Sequence, residues 1–162
     1  MRNFISKSTT ALIGGLVIVL PLSASALTAQ QSVQKEVTQL TADGTTQIVR
    51  QGAEKVVPGE RIVYTLDFTN DEAKAASNIV LTMPIPSEVA YIEGTADKTG
   101  AQVTYSADGG DTFADRQSVM KIDAAGNIRA AGAGELTHVR WTVVGPVSAG
   151  ASGELSFSAT VR

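Results

Sequence analysis

Hydrophobic and polar residues alternate along most of this chain from residue 61 onward. Ile62, Tyr64, Leu66 and Phe68 fall on one face of an extended segment, and Arg61, Thr65, Asp67 and Thr69 on the other, where Val63 is the apolar exception. Pro58 and Gly59 lead into this run through a turn pair and Asn70-Asp71 closes it, which predicts a half-buried antiparallel strand. The pattern recurs at 77–83, where Ile79, Leu81 and Met83 share a face until Pro84 and Pro86 remove the donors a ladder needs. Shorter segments follow at 89–93, 102–106, 118–123 and 127–131. Residues 135–144 set Val139, Trp141 and Val143 against His138, Arg140 and Thr142. The last run places Leu155, Phe157, Ala159 and Val161 together.

Upstream, residues 27–39 are polar and weakly patterned, an extended lead-in from which Val37, Gln39 and Thr41 begin a strand. Asp43-Gly44 supplies a hairpin turn and 46–50 returns. The whole reads as an all-β, immunoglobulin-like antiparallel sandwich of about eight or nine short strands, with no helix after residue 26. Its expected core is Ile62, Tyr64, Leu66, Phe68, Ile79, Leu81, Val139, Trp141, Val143, Leu155 and Phe157, with Trp141 and Tyr64 the largest members.

Residues 1–26 carry a different pattern. Arg2 and Lys7 precede a short apolar run at 11–22, and Ser23-Ala24-Ser25-Ala26 supplies the small residues that a signal peptidase requires. The run is shorter than the about 20 apolar residues that span a bilayer. Cleavage between Ala26 and Leu27 is therefore expected, leaving no stable membrane anchor and exporting residues 27–162 to the periplasm, the cell surface or beyond. That exported part divides into a lead-in with its first hairpin at 27–56 and a sandwich core at 57–162, together one domain. The chain has no cysteine, so the core must hold without disulfides. Its net charge of −3, with no basic cluster, argues against nucleic acid as a partner.

Val57-Pro58-Gly59, then Val63-Tyr64-Thr65-Leu66 and Phe68-Thr69-Asn70, resemble the bacterial conserved-repeat family known as domain of unknown function number eleven. Ala76-Ser77-Asn78-Ile79-Val80-Leu81, Ile85-Pro86, Trp141-Thr142-Val143 and Leu155-Ser156-Phe157 continue the likeness to the end of the chain. The resemblance implies an immunoglobulin-like envelope module with a structural or adhesive role. Met83 stands where an acidic residue often precedes the family's Leu-Pro, so no polar role is carried to that place.

Candidate chemistry is sparse. Ser106, Asp108, Gly110, Thr112 and Phe113 fit the Ser-x-Asp-x-Gly-x-Thr-aromatic pattern called an Asp-box. Here Asp108 is expected to accept turn amides, Gly110 to adopt positive φ, Ser106 and Thr112 to satisfy backbone groups, and Phe113 to pack under a rigid hairpin. Asp108, Asp111 and Asp115 also offer hard oxygen donors for calcium, although the EF-hand's closing Glu and fixed Gly are missing. His138, the only histidine, lies opposite Trp141 on its strand and reads as a solvated edge residue. Lys55, Lys74 and Lys121 with Asn70, Asn78 and Asn127 offer no spacing that singles out an isopeptide pair. No catalytic set, cofactor fingerprint or metal motif emerges.

The expected function is a non-enzymatic exported module with a structural or protein-interaction role, with self-association through an unpaired strand edge as its sharper form. In that form the lead-in pairs with a neighbour's sheet; otherwise it folds back on its own sheet or stays disordered. A carbohydrate-binding module is the alternative, and it would need Tyr91 and Tyr105 as exposed platforms.

Overall fold

The computed structural model describes residues 27–162, and the expected leader, Ala26 of the cleavage site included, lies outside them. The lead-in is itself a strand. β1 (Leu27–Leu40) and β2 (Thr46–Gly52) form the hairpin around Asp43-Gly44, and β3 (Arg61–Asn70) is the alternating strand behind Pro58-Gly59. The sheet they build also takes in β5 (Val89–Tyr91) and β10 (Ser152–Val161), in the order β2-β1-β3-β10-β5. A second sheet of β4 (Val80–Pro84), β9 (His138–Val143) and β6 (Ala101–Ser106), ordered β4-β9-β6, packs against it. β7 (Met120–Ile122) and β8 (Ile128–Ala130) form a separate two-stranded hairpin. All these pairings are antiparallel, and the architecture is an all-β sandwich.

The core forms where the alternating faces meet. Trp141 is completely buried and donates its indole N–H to the Ala96 carbonyl at 2.9 Å, so its polar atom is satisfied inside. Tyr64 stacks on Phe157 at 4.9 Å between ring centroids, a cross-strand pair in the β3–β10 register. Every expected core residue is buried except Val143, which is half-buried at the rim. Val63 and Thr65 are buried as well, so the centre of β3 is covered on both faces. β3 lies between β1 and β10, and Gln34 and Ser158 flank Val63 while Ser32 and Ser156 flank Thr65.

Several element bounds differ from the sequence expectation, and the described residues form ten strands. β4 starts at Val80 because Asn78 adopts φ +57° and breaks the extended run before it. β9 starts at His138 because residues 133–135 make a tight 3-10 turn, whose Glu135 carboxylate accepts the Gly132 N–H at 2.9 Å. β1 changes partner along its length: Leu27 to Lys35 pair with β3, and Gln34 to Leu40 pair with β2. The lead-in thus folds back on its own sheet. Its outer half pairs with β2 alone, and this two-stranded end of the sheet forms a wing.

Candidate interaction surfaces

The Asp-box closes its loop with its own side chains. The Ser106 hydroxyl donates to the Asp108 carboxylate at 2.6 Å and accepts the Gly110 N–H at 2.9 Å. Asp108 in turn takes the Thr112 N–H at 3.0 Å and the Thr112 hydroxyl, so Thr112 serves the carboxylate with both donors. These bonds, that from Ser106 first, hold the Asp108 carboxyl well below the usual carboxylate range. Gly110 has φ +94°, as its place in the pattern requires. Thr137, which no pattern in the sequence marked, braces the loop from β9's approach by accepting the Gly109 N–H at 3.0 Å.

Phe113 is half-buried against the outward side chains of β9. Its ring sits beside β9, with the Arg140 guanidinium carbon 3.4 Å from the ring centroid and the His138 ring edge-on at 6.4 Å. The outward side chains of β9 supply a cation over the ring face and an imidazole at its side. His138 is half-buried rather than solvated. It lies against Gly110, where a Cβ would come within 3.4 Å of its ring, and its Nδ1 is 3.2 Å from the Thr137 hydroxyl.

The calcium expectation meets a spent carboxylate. Both Asp108 oxygens are engaged by Thr112, and among the described residues no group of three or more His, Cys, Asp or Glu is placed to hold a metal ion. The carbohydrate alternative fares no better, because Tyr91 and Tyr105 are core residues. Their hydroxyls meet at 3.0 Å, and burial together with the Tyr91 hydrogen bond raises the Tyr105 pKa. Neither ring offers a platform to a sugar. Asn70, weighed as an isopeptide partner, is fully buried and donates instead to the carbonyls of Lys74, Val147 and Ser148 at 2.8, 2.9 and 3.2 Å. It ties the loop after β3 to the loop before β10.

No family model, curated protein or solved structure matches this chain.

What the fold leaves to solvent is more informative than what it buries. On the β7–β8 hairpin Met120, Ile122, Ile128 and Ala130 share one face, and Ile128 is 73% exposed. Lys121 and Arg129 take the other, where Glu135 binds Arg129 at 2.7 Å. On the wing, Leu40 and Ile48 are exposed to 69% and 68%. Beside them Glu36 bridges Arg50 at 3.6 Å and Arg61 at 3.1 Å across three strands. An open polar cleft of about 500 Å³ lies along β6, lined by Glu93, Asp97, Lys98, Thr99, Tyr105 and Arg116, and spanned by the Glu93–Arg116 pair at 2.6 Å. Alternation in the sequence cannot distinguish these arms from core strands, because Ile48 and Ile128 alternate as regularly as Ile62.

Proposed function

We propose that this chain is a non-enzymatic exported module that assembles with protein partners, other copies of itself among them, in the cell envelope or extracellular matrix. The observation that carries the reading is the pair of projecting hairpins. Each sets apolar side chains in water on a sandwich whose core is otherwise closed, and contiguous exposed apolar faces mark interaction sites. The leader pattern of residues 1–26 and the resemblance to envelope modules support export and a structural role.

The test is to express the full chain and recover it from each cell fraction. Intact mass would establish its N-terminus, and size-exclusion chromatography with electron microscopy its assembly over a range of concentrations. A chain beginning at Leu27 outside the cytoplasm, with oligomers or filaments that grow with concentration, is expected. A chain that retains Met1 in the cytoplasm, or that stays monomeric and crosslinks to no envelope protein, overturns the proposal.

A further inference from the structure

The most open strand edge among the described residues belongs to β2. It has seven residues, pairs only with β1, and carries no proline or bulge along its length. Other edges are blunted in the ways natural sheets use. β5 is three residues long, β4 ends at Pro84, and Ala114 already pairs with Tyr105 on the outside of β6.

The polarity of the β2 edge follows from its hairpin. The Thr41 N–H donates to the Thr45 carbonyl at 2.8 Å, so hydrogen-bonded pairs alternate from there through Gln39/Gln47, Val37/Val49 and Lys35/Gln51. Ile48 and Arg50 therefore direct their main-chain N–H and C=O away from β1. In the order Thr46-Gln47-Ile48-Val49-Arg50-Gln51-Gly52, identical glutamines stand two residues to either side of Val49.

We propose that the β2 edges of two copies pair antiparallel across a two-fold axis at Val49, joining their larger sheets into one. This rests on the assembly reading above and names its partner as a second copy. In that register Ile48 of one copy stands opposite Arg50 of the other, so the outward main-chain groups of the two strands meet one another. Gln47 faces Gln51, and Val49 faces Val49. The Val37–Val49 pairs of both copies then form one apolar stripe on the face that Ile62 shares through the Lys35–Ile62 pairing. The other face buries Ile48 beside the Arg50 stem of the second copy. Glu36, 3.6 Å from Arg50 in its own chain, neutralises the two arginines that the axis brings near each other. Such an isologous contact closes on itself, as a two-fold interface must.

The cysteine-free chain makes the test direct. In the proposed register position 49 is a non-hydrogen-bonded pair, where Cα atoms approach to about 4.5 Å, within disulfide range. Val49→Cys in the exported protein is expected to give a covalent dimer in a glutathione redox buffer, while Gln39→Cys, one strand further in, stays monomeric. Ile48→Pro removes an outward donor and spares the β1 ladder. It is expected to weaken dimerisation at least tenfold in sedimentation, with circular dichroism and Trp141 fluorescence unchanged. Equal crosslinking of the two cysteine variants overturns the pairing, and so does an assembly that forms equally well with Ile48→Pro, which leaves the assembly reading standing. A monomer at every concentration with no Val49→Cys product overturns both.

Discussion

Replacing Asn70 with alanine should unlatch one pole of the sandwich. The buried amide bonds the carbonyls of Lys74, Val147 and Ser148, and its oxygen accepts the Glu72 N–H at 3.1 Å. The losses are unequal. The Val147 carbonyl keeps the Ala76 N–H at 2.9 Å and the Ser148 carbonyl keeps the Ala151 N–H at 3.0 Å. The Lys74 carbonyl and Glu72 N–H lose their bonds to Asn70, at about 0.5–1.5 kcal/mol each, and truncating the fully buried side chain adds a cavity cost. An expected destabilisation of about 2–4 kcal/mol follows, which lowers Tm by roughly 10 °C in a domain of this size. Asn70→Asp separates the hydrogen bonds from simple loss of volume. A carboxylate there would face three carbonyl oxygens, so its folded pKa must rise above the ordinary value of about 3.9. For a raised acid the protonated form is favoured by folding, and stability falls as pH rises through the folded pKa. The Asn70→Asp deficit relative to wild type should therefore be larger at neutral pH than near pH ~4, whereas the Asn70→Ala deficit should be flat. Urea unfolding followed by Trp141 fluorescence and by circular dichroism measures both. An Asn70→Ala variant within about 0.5 kcal/mol of wild type, the scatter of ordinary surface changes, would refute the latch.

Gly153→Ala should also destabilise, since a Cβ there would come within 2.4 Å of the buried Phe68 ring on the paired strand. A neighbouring cavity of about 150 Å³ gives the ring room to yield, so about 1–2 kcal/mol is expected. Gly153→Ala combined with Phe68→Leu should cost less than the two changes summed, which thermal melts would test. Acidification should loosen two turns. Asp108 is depressed by its Ser106 and Thr112 bonds, and Glu135 is lowered to about 2 by Arg129 and the Gly132 N–H. Because both folded pKa values are depressed, their contribution is full at neutral pH and is lost below about 4. Carboxyl NMR titration should place both midpoints below those of ordinary carboxylates, and ordinary midpoints would refute the bonding. Trp141, the single tryptophan, should emit at the blue end of its range and shift red only on global unfolding. An early red shift would contradict its central place in the core.

The core was legible in the sequence because alternation reports which side chains share a face, and β3, β9 and β10 alternate cleanly. The burial of Val63 and Thr65 was not. It depends on β3 lying between two other strands, and sheet order is a long-range property that local patterning does not carry. The same gap hid the lead-in's role. Residues 27–35 are too polar to announce a strand, and their partner β3 lies downstream of the whole first hairpin. Within the Asp-box, bonds internal to the loop were legible from spacing. Thr137 and the Arg140–Phe113 contact were not, because both come from the approach and strand that the loop folds onto.

The pairing of β3 has a mechanical consequence. β1 and β10 flank it on either side, both antiparallel to it and hence parallel to each other. Leu27 pairs with Asn70 at one end of β3, while Thr160 pairs with Arg61 at the other. Tension between Leu27 and Arg162 therefore runs along the strands and loads two nine-pair ladders in shear. Hydrogen bonds loaded in shear share the force and must fail together, whereas a hairpin peeled from its tip gives way one bond at a time. The wing and the β7–β8 arm lie outside those two ladders, so their exposed apolar side chains are held on a frame that resists being pulled apart.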